Sequence, residues 1–449
     1  MKKKKKFKLK KGYVLGGVAA VLIGAGAAVA VQLTDFHPKL IDTVDETPAV
    51  ETTTTAETTL PVVTTTAETL VSDRQVYTDL PAELTLKTKP RIDVFAKMRA
   101  DELVTETNGT VLEGEWLSTD ELGAQYVQVR VVFQGKIYEK NVKYTVADMT
   151  PPIVLNDGTG AQHLVGDVFS IKDYIGYADN YDADVSVTYH GDVDVFQMGI
   201  YPLQVTLSDA SGNTTSLTVK IRVIDKRTTL SPTQTVSFSD FCKKYAGENR
   251  AFGIDVSAWQ NEVDFEAVKQ AGCSFVILRI ANTSKGKIQE DKYFTKNLEA
   301  AKAAGLKVGV YFYSTANTEE AMLEQTAWME EKLAGTQLDF PLVLDWEDFS
   351  TFQEYKMSLH DLNHLFDVFA READRMGYGA MLYSSKEPLQ RVWTNEENRP
   401  VWLAHYVNQT DYTGDYLVWQ ATAKGEIDGI KGDTDFDIWF KDAAASDAE

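Results

Sequence analysis

The chain has 449 residues, 44% hydrophobic and 25% charged, which excludes wholesale disorder and a polytopic membrane protein and suggests about three domains. Its formal net charge is -21, and setting aside the eight lysines of residues 1–11 leaves -29 on the remaining 438 residues. A body this acidic repels phosphates, so no nucleic-acid partner is expected. Two cysteines, Cys242 and Cys273, exclude a disulfide-stapled scaffold and a cysteine zinc site, and two free thiols are expected rather than a bridge. The six histidines are scattered outside any metal motif, so no metal site and no cofactor are expected.

Residues 1–11, MKKKKKFKLKK, form a basic tail expected to stay cytoplasmic. Residues 12–33 are predicted to be a transmembrane anchor, because Tyr13 to Leu33 carries no charge and a helix of that length spans about 30 Å. The other reading is a secretory signal cleaved after Ala28-Val29-Ala30, giving a secreted protein; the run is long for one. The anchor reading makes a single-pass cell-membrane protein, its C-terminal portion extracellular, of Gram-positive type. Residues 34–77 read as a Thr-rich stalk: ten of residues 51–70 are threonine, and Thr-Thr-Thr-Ala-Glu-Thr occurs at 53–58 and 64–69. Such a segment has too little apolar surface to offset its ordering entropy.

From 78 to 226 the helical period is absent. Alternating segments such as Tyr126–Phe133, Val185–Tyr189, Leu203–Leu207 and Leu217–Val223 predict strands with one buried and one solvated face. Two all-β immunoglobulin-like sandwiches are expected, at 78–147 and 148–226. The second resembles the bacterial immunoglobulin-like repeats of surface proteins in Thr150-Pro-Pro152, Asp179-Asn-Tyr-Asp182, Gly199-Ile-Tyr201 and Asp209-Ala-Ser-Gly-Asn213. The resemblance implies spacers with weak wall binding. Asp179, Asp182 and Asp184 have the oxygen chemistry for calcium, but turn-forming aspartates on a solvated loop are the preferred reading.

Residues 227–250 read as a linker, 251–441 as the C-terminal domain and 442–449 as a tail. Strands are predicted at Phe252–Val256, Phe275–Ile280, Val308–Tyr313, Pro341–Leu344, Ala380–Tyr383, Val401–Ala404, Leu417–Trp419 and Asp435–Ile438. Helices are predicted at Tyr293–Ala304, Glu319–Leu333 and Leu359–Met376, with Gly305 and Gly377 at helix stops. Strands alternating with helices predict an irregular (β/α) TIM-like barrel, whose reactive groups lie at strand C-terminal ends.

Those ends are acidic. Asp255 closes the first strand, and Asp345 and Glu347 stand two apart at the end of the fourth, so both leave the same face. Two carboxylates that close cannot easily both ionise, so one should hold a proton; an acid beside a carboxylate is the equipment of glycoside hydrolysis. Closure of the barrel would bring Asp435 near Asp255.

With these pieces in order, residues 251–440 resemble glycoside hydrolase family 25, the peptidoglycan muramidases. The matching segments are Gly253–Gln260, Phe275–Arg279, Ala304–Tyr311, Leu344–Glu347, Leu382–Ser384, Val401–Tyr406, Val418–Gln420 and Gly429–Gly432 running into Asp435. The resemblance implies cleavage between N-acetylmuramic acid and N-acetylglucosamine in peptidoglycan strands. It makes Glu347 the general acid/base and Asp345 the stabiliser of developing charge, with Asp255 and Asp435 completing the cluster. The chain departs from the family at Thr434-Asp-Phe-Asp437, where Val-Asp-x-Asn is usual, and Asp437 adds a possible charge.

Aromatic side chains crowd the same strand ends, as a sugar cleft requires. Tyr311, Tyr383, Trp402, Tyr406 and Gln420 are expected to bind substrate, and Arg279 to bind it or to neutralise the carboxylates. Trp259 and Tyr313 fit the cleft and the core equally well. A wall-binding protein without catalysis, and a glycosidase for another N-acetylated glycan such as chitin, are the alternatives; retention of all four acids opposes the first.

Overall fold

The computed structural model describes residues 73–227, 235–395 and 397–441. The basic tail, the expected anchor, most of the stalk and the tail at 442–449 lie outside them. Among the described residues no helix is long and apolar enough to cross a membrane, so the expected transmembrane element has no counterpart there.

In the first β module, Gly123–Phe133 and Lys136–Ala147 form a long antiparallel hairpin. Its two-residue turn, Gln134-Gly135, has both φ angles positive, as the twist of such a hairpin demands. Asp73–Tyr77, Arg91–Asp93 and Thr110–Val111 extend this sheet to five strands, and Leu86–Thr88 pairs separately with Val104–Thr107. Alternate residues Val127, Val129, Val131, Val142, Tyr144 and Val146 make the core. In the second module, Gly199–Ser208 and Thr214–Ile224 pair centrally, flanked by Ser186–His190 and Gln162–Leu164. A two-stranded ribbon, Ile153–Asn156 with Gly176–Ala178, lies apart from that sheet. The expected immunoglobulin-like sandwiches are corrected: each module has one main sheet, of five strands in the first and four in the second, with a two-stranded ribbon rather than a second comparable sheet.

The C-terminal domain closes eight strands into a ring: β1 (Arg250–Val256), β2 (Phe275–Ser284), β3 (Lys307–Tyr313), β4 (Leu342–Asp345), β5 (Ala380–Ser385), β6 (Val401–Ala404), β7 (Val418–Glu426) and β8 (Thr434–Phe440). Helices α1 (Phe265–Gln270), α2 (Phe294–Ala303), α3 (Glu319–Leu333), α4 (Leu359–Arg375) and α5 (Lys386–Arg391) fill the first five connections. The expected TIM-like barrel is corrected. A TIM barrel has eight parallel strands, each followed by a helix. Here β8 is antiparallel to both β7 and β1, and no helix stands between β6 and β7 or between β7 and β8. The cause is length: residues 427–433 reverse the chain through Gly429 and Gly432, both at positive φ, and a parallel crossover needs about a dozen residues or more. The domain is a closed eight-stranded β-barrel with a partial helical coat.

Period-two alternation sorts the barrel. Phe275, Ile277, Tyr311, Val343, Met381, Tyr383, Trp402 and Val418 fill the interior, while Ile254, Val276, Leu278, Val310, Leu344, Leu382, Leu403 and Trp419 join the core beneath the helices. Gly253 is needed inside: a Cβ there would sit 2.6 Å from the Phe275 ring.

The second β module packs on the barrel rather than standing clear of it. The first turn of α4 donates Leu359 N–H to the Asp179 carbonyl (2.8 Å) and His360 N–H to that of Asn180 (3.3 Å), so module carbonyls satisfy orphan helix donors. Gln353 donates to the Ile175 carbonyl (3.3 Å), and Gly176 lies so close that a Cβ would meet the Phe349 carbonyl at 2.4 Å. The first module touches α4 as well, Phe95 stacking on His360 at 3.6 Å.

Candidate active site

β4 reads Leu-Val-Leu-Asp and then breaks at Trp346. Alternation sends Val343 and Asp345 inward and Trp346 outward, where its indole N–H donates to the Ala316 carbonyl (3.0 Å) and its ring packs on Phe349, Phe352 and Tyr355. Anchored this way, Trp346 fixes Asp345 and Glu347 on one side of the chain. Asp345 is buried and Glu347 keeps partial exposure. Burial pushes both carboxyls up, Glu347 to about 7 and Asp345 well above the carboxylate range, helped by the neighbouring charges of Glu347 and Asp255. The two are within hydrogen-bonding reach once one carries a proton, an interaction that raises Asp345 and lowers Glu347.

Across the barrel, β1 and β8 pair with Asp255 opposite Asp435, so closure brings them together. Burial raises Asp255 to about 7 and Asp435 well above its ordinary value, the latter also through Asp255 and Asp437. Asp437 lies inside too, receives the Trp402 indole N–H at 2.8 Å, and is pushed up by burial and by Asp255. A hydrogen bond between Asp437 and Asp255 needs one proton; the contact raises Asp437 and lowers Asp255.

Gln420 ties this pair to the aromatic wall. Its Nε2 donates to Asp255 Oδ2 (2.7 Å), and its Oε1 accepts from Tyr383 Oη (2.9 Å) and Tyr406 Oη (2.7 Å). Three partners fix its amide orientation. Tyr311 is buried, its ring edge-on to Trp402 at 5.9 Å and its hydroxyl unpartnered. Tyr383 and Trp402 are buried with it, and Tyr406 is partly exposed. Arg279 points inward, but its Nε (3.0 Å) and Nη2 (2.9 Å) both go to Asp291 Oδ2. It therefore acts on Asp255 and Asp345 as a nearby charge that lowers them, not as their ion-pair partner.

Of the residues expected at the site, Asp255, Asp345, Glu347, Asp435, Tyr311, Tyr383, Trp402, Tyr406, Gln420 and Arg279 converge on one end of the barrel. Trp259, which fitted core or cleft, is 57% exposed just beyond β1. Tyr313 donates to Asp348 Oδ1 (3.0 Å). Asp291 escaped sequence reasoning: it follows a hairpin strand, Lys287–Glu290, with no motif to mark it, and only the fold places it against Arg279. Cys242 and Cys273 are both free.

Glycosyl hydrolases family 25 matches residues 254–430, a span that ends just before Asp435 and Asp437. The uncharacterized protein YegX of Escherichia coli K12 is 28% identical over 193 residues, 42% of this chain and 68% of that protein. The autolytic lysozyme of Clostridium acetobutylicum is 27% identical over 187 residues, 41% of this chain and 54% of its own length. Among solved structures, the bacterial lysozyme of Streptomyces coelicolor is 23% identical, with 44% of this chain and 98% of that one covered and a TM-score of 0.37. The C-terminal domain belongs to glycosyl hydrolases family 25: it is a glycoside hydrolase domain of the muramidase class.

Proposed function

We propose that the protein is an exported peptidoglycan muramidase, held at the outer face of the cytoplasmic membrane by its first 33 residues. It hydrolyses the β-1,4 bond between N-acetylmuramic acid and N-acetylglucosamine. The observation that carries this reading is the pairing of two acid sets at one barrel end, Asp345 with Glu347 and Asp255 with Asp435, under a wall of Tyr311, Tyr383 and Trp402. Glu347 is the member of its pair with access to solvent, so a glycosidic oxygen reaches it first. The pair titrates as a unit, and a proton held by Asp345 in the free protein passes to Glu347 as the leaving oxygen approaches. Glu347 then acts as general acid. Asp345, left ionised, stabilises positive charge developing on the muramic acid ring. Asp255 and Asp435 hold the opposite wall, Asp255 oriented by Gln420, which also accepts from the partly exposed Tyr406.

The test is digestion by the full-length chain of purified peptidoglycan and of chitin, side by side. New reducing ends on N-acetylmuramic acid, with chitin untouched, are expected. Chitin digestion alone, or digestion of neither by folded protein, overturns the assignment. Membrane attachment is tested separately by fractionation: the expected species is membrane-bound and retains the lysine tail, and mature protein in the medium starting near Val31 refutes the tether.

A further inference from the structure

Where the first module hands over to the second, three aspartates gather, with a fourth, Asp179, close enough to act on them by charge. Asp148 follows the last strand of the first module, Asp179 and Asp182 follow the Gly176–Ala178 strand, and Asp209 follows Gly199–Ser208. Asp148, Asp182 and Asp209 each offer a carboxylate oxygen, and the three oxygens lie within 4.8 Å of one another. Among the described residues no lysine, arginine or histidine pairs with any of the four aspartates.

Backbone turns satisfy only part of this cluster. Asp148 Oδ1 receives Thr150 N–H (3.2 Å), Asp182 Oδ2 receives Ala210 N–H (2.9 Å), and the Asp209 oxygens receive the Asn213 backbone and side-chain N–H groups, each at 2.8 Å. Asp179 Oδ1 receives the N–H groups of Tyr181 and Asp182, each at 2.9 Å. Asp148 Oδ2 and Asp179 Oδ2 have no partner, although these residues are only 4% and 1% exposed. An unpartnered ionised carboxylate at that depth is costly unless a proton or a cation meets it, and burial raises both Asp148 and Asp179 accordingly.

We propose that Asp148, Asp182 and Asp209 bind one calcium ion, beside the buried carboxylate of Asp179, that locks the two β modules and the barrel together. The donor set is all oxygen, which selects a hard cation. Calcium bonds of about 2.4 Å let one ion bridge oxygens up to about 4.8 Å apart, and its irregular coordination tolerates turn carboxylates better than magnesium's octahedron. The location gives the ion a task. The Asp179 carbonyl accepts the first N–H of α4, the helix between β4 and β5, and Asp148 sits one residue before Met149, whose N–H donates to Asp93 Oδ1 of the first module at 2.8 Å. An ion here stiffens the path from the modules to the helix behind the catalytic strand. Asp184, the third candidate in the sequence, is instead exposed and paired with Lys356.

The test is calorimetric titration of the full-length, EDTA-treated chain with calcium chloride alone and, in parallel, magnesium chloride. One calcium per chain is expected, with magnesium at least tenfold weaker. Asp148→Asn and Asp209→Asn should each weaken calcium binding tenfold or more, and Asp184→Asn should leave it unchanged. In chelator, Asp148→Asn should melt no lower than the parent, because it removes one of four crowded charges. Calcium should then raise the melting temperature of the parent and not of the variant. If a variant does not fold, calcium displacement of terbium luminescence sensitised through Tyr181 in the parent decides. Absence of saturable calcium binding by the folded parent, binding that survives both asparagine substitutions, or a preference for magnesium overturns the proposal.

Discussion

In the barrel, Asp255, Asp345, Glu347, Asp435 and Asp437 leave strands for an interior walled by tyrosine and tryptophan. At the junction, Asp148, Asp179, Asp182 and Asp209 leave turns and are met mainly by backbone N–H groups. Both clusters bury like charges, but their donors differ. The barrel supplies side-chain donors aimed at single oxygens, Gln420 at Asp255 and Trp402 at Asp437, and lets protons settle the rest. Protons that move at neutral pH are what acid catalysis needs. Unpartnered oxygens occur in both, Asp345 Oδ1, Asp435 Oδ1 and Asp437 Oδ2 in the barrel and Asp148 Oδ2 and Asp179 Oδ2 at the junction. Burial of a carboxylate, even with an open oxygen, therefore does not define a catalytic site. The side-chain donors and aromatic wall around it do.

The comparison is broken most sharply at Glu347. Glu347→Gln should lower turnover on peptidoglycan by about 10²–10⁴, the usual contribution of a general acid, because the amide cannot deliver a proton. Its melting temperature at pH 8 should not fall, since the substitution removes one of several crowded acids. Retained lysis by the folded variant would sink the role given to Glu347, and a marked loss of stability would show that its charge is compensated, not merely tolerated.

Removal of both β modules is the next largest change. A chain beginning at residue 235 strips α4 of the carbonyls that accept Leu359 and His360 N–H and uncovers the Phe349–Glu354 turn beside Gly176. Two lost hydrogen bonds at about 1 kcal/mol each, with newly exposed apolar surface, predict destabilisation of about 2–4 kcal/mol in urea unfolding. Equal stability of the isolated barrel would return the modules to the role of spacers.

That coupling was not legible in the sequence, whereas much of the barrel was. Apolar runs broken by Gly305 and Gly377 located eight strands and three helices, and Asp-Trp-Glu put two acids on one face, because alternation is a local property. The antiparallel β8 was missed although its cause is local too: seven residues between β7 and β8 leave no room for a crossover. Contacts that depend on tertiary placement left no trace. Asp291 reaches Arg279 across a hairpin, and Asp148 meets Asp209 across sixty residues of chain with only generic turn residues around each.

A third expectation concerns pH. Asp255 and Glu347 stand at about 7 in the folded chain, above unfolded carboxyl values of about 4. Between those values the native state binds more protons, so their contribution to stability is present in acid and is lost as pH rises through about 7. The melting temperature, measured in EDTA to remove calcium, should therefore climb by several degrees from pH 8 to pH 5, with Asp179, raised by burial to about 6, adding in the same direction. The climb should shrink in Glu347→Gln; an unchanged climb, or a fall in the parent, would mean that the barrel acids are ionised and paired, as ordinary surface carboxylates are.

The smallest and most discriminating change is Asp437→Asn. Asp437 does one thing in any state and a second only when protonated: Oδ1 accepts the Trp402 indole N–H, and a protonated Oδ2 can donate to Asp255. Asparagine performs both in a single state, its carbonyl accepting from Trp402 and its amide donating to Asp255, with no proton to lose. Activity at acidic pH should then stay within about threefold of the parent, because the hydrogen bonds are unchanged. As pH rises, the parent loses the Asp437 proton, gains a second charge against Asp255 and disorders the wall that Gln420 holds, while the variant does not. The profile of kcat/KM against pH should accordingly keep its acid limb and extend on the alkaline side. Superimposable profiles would show that Asp437 never titrates during turnover, and that the proton between β1 and β8 belongs to Asp255 or Asp435 instead.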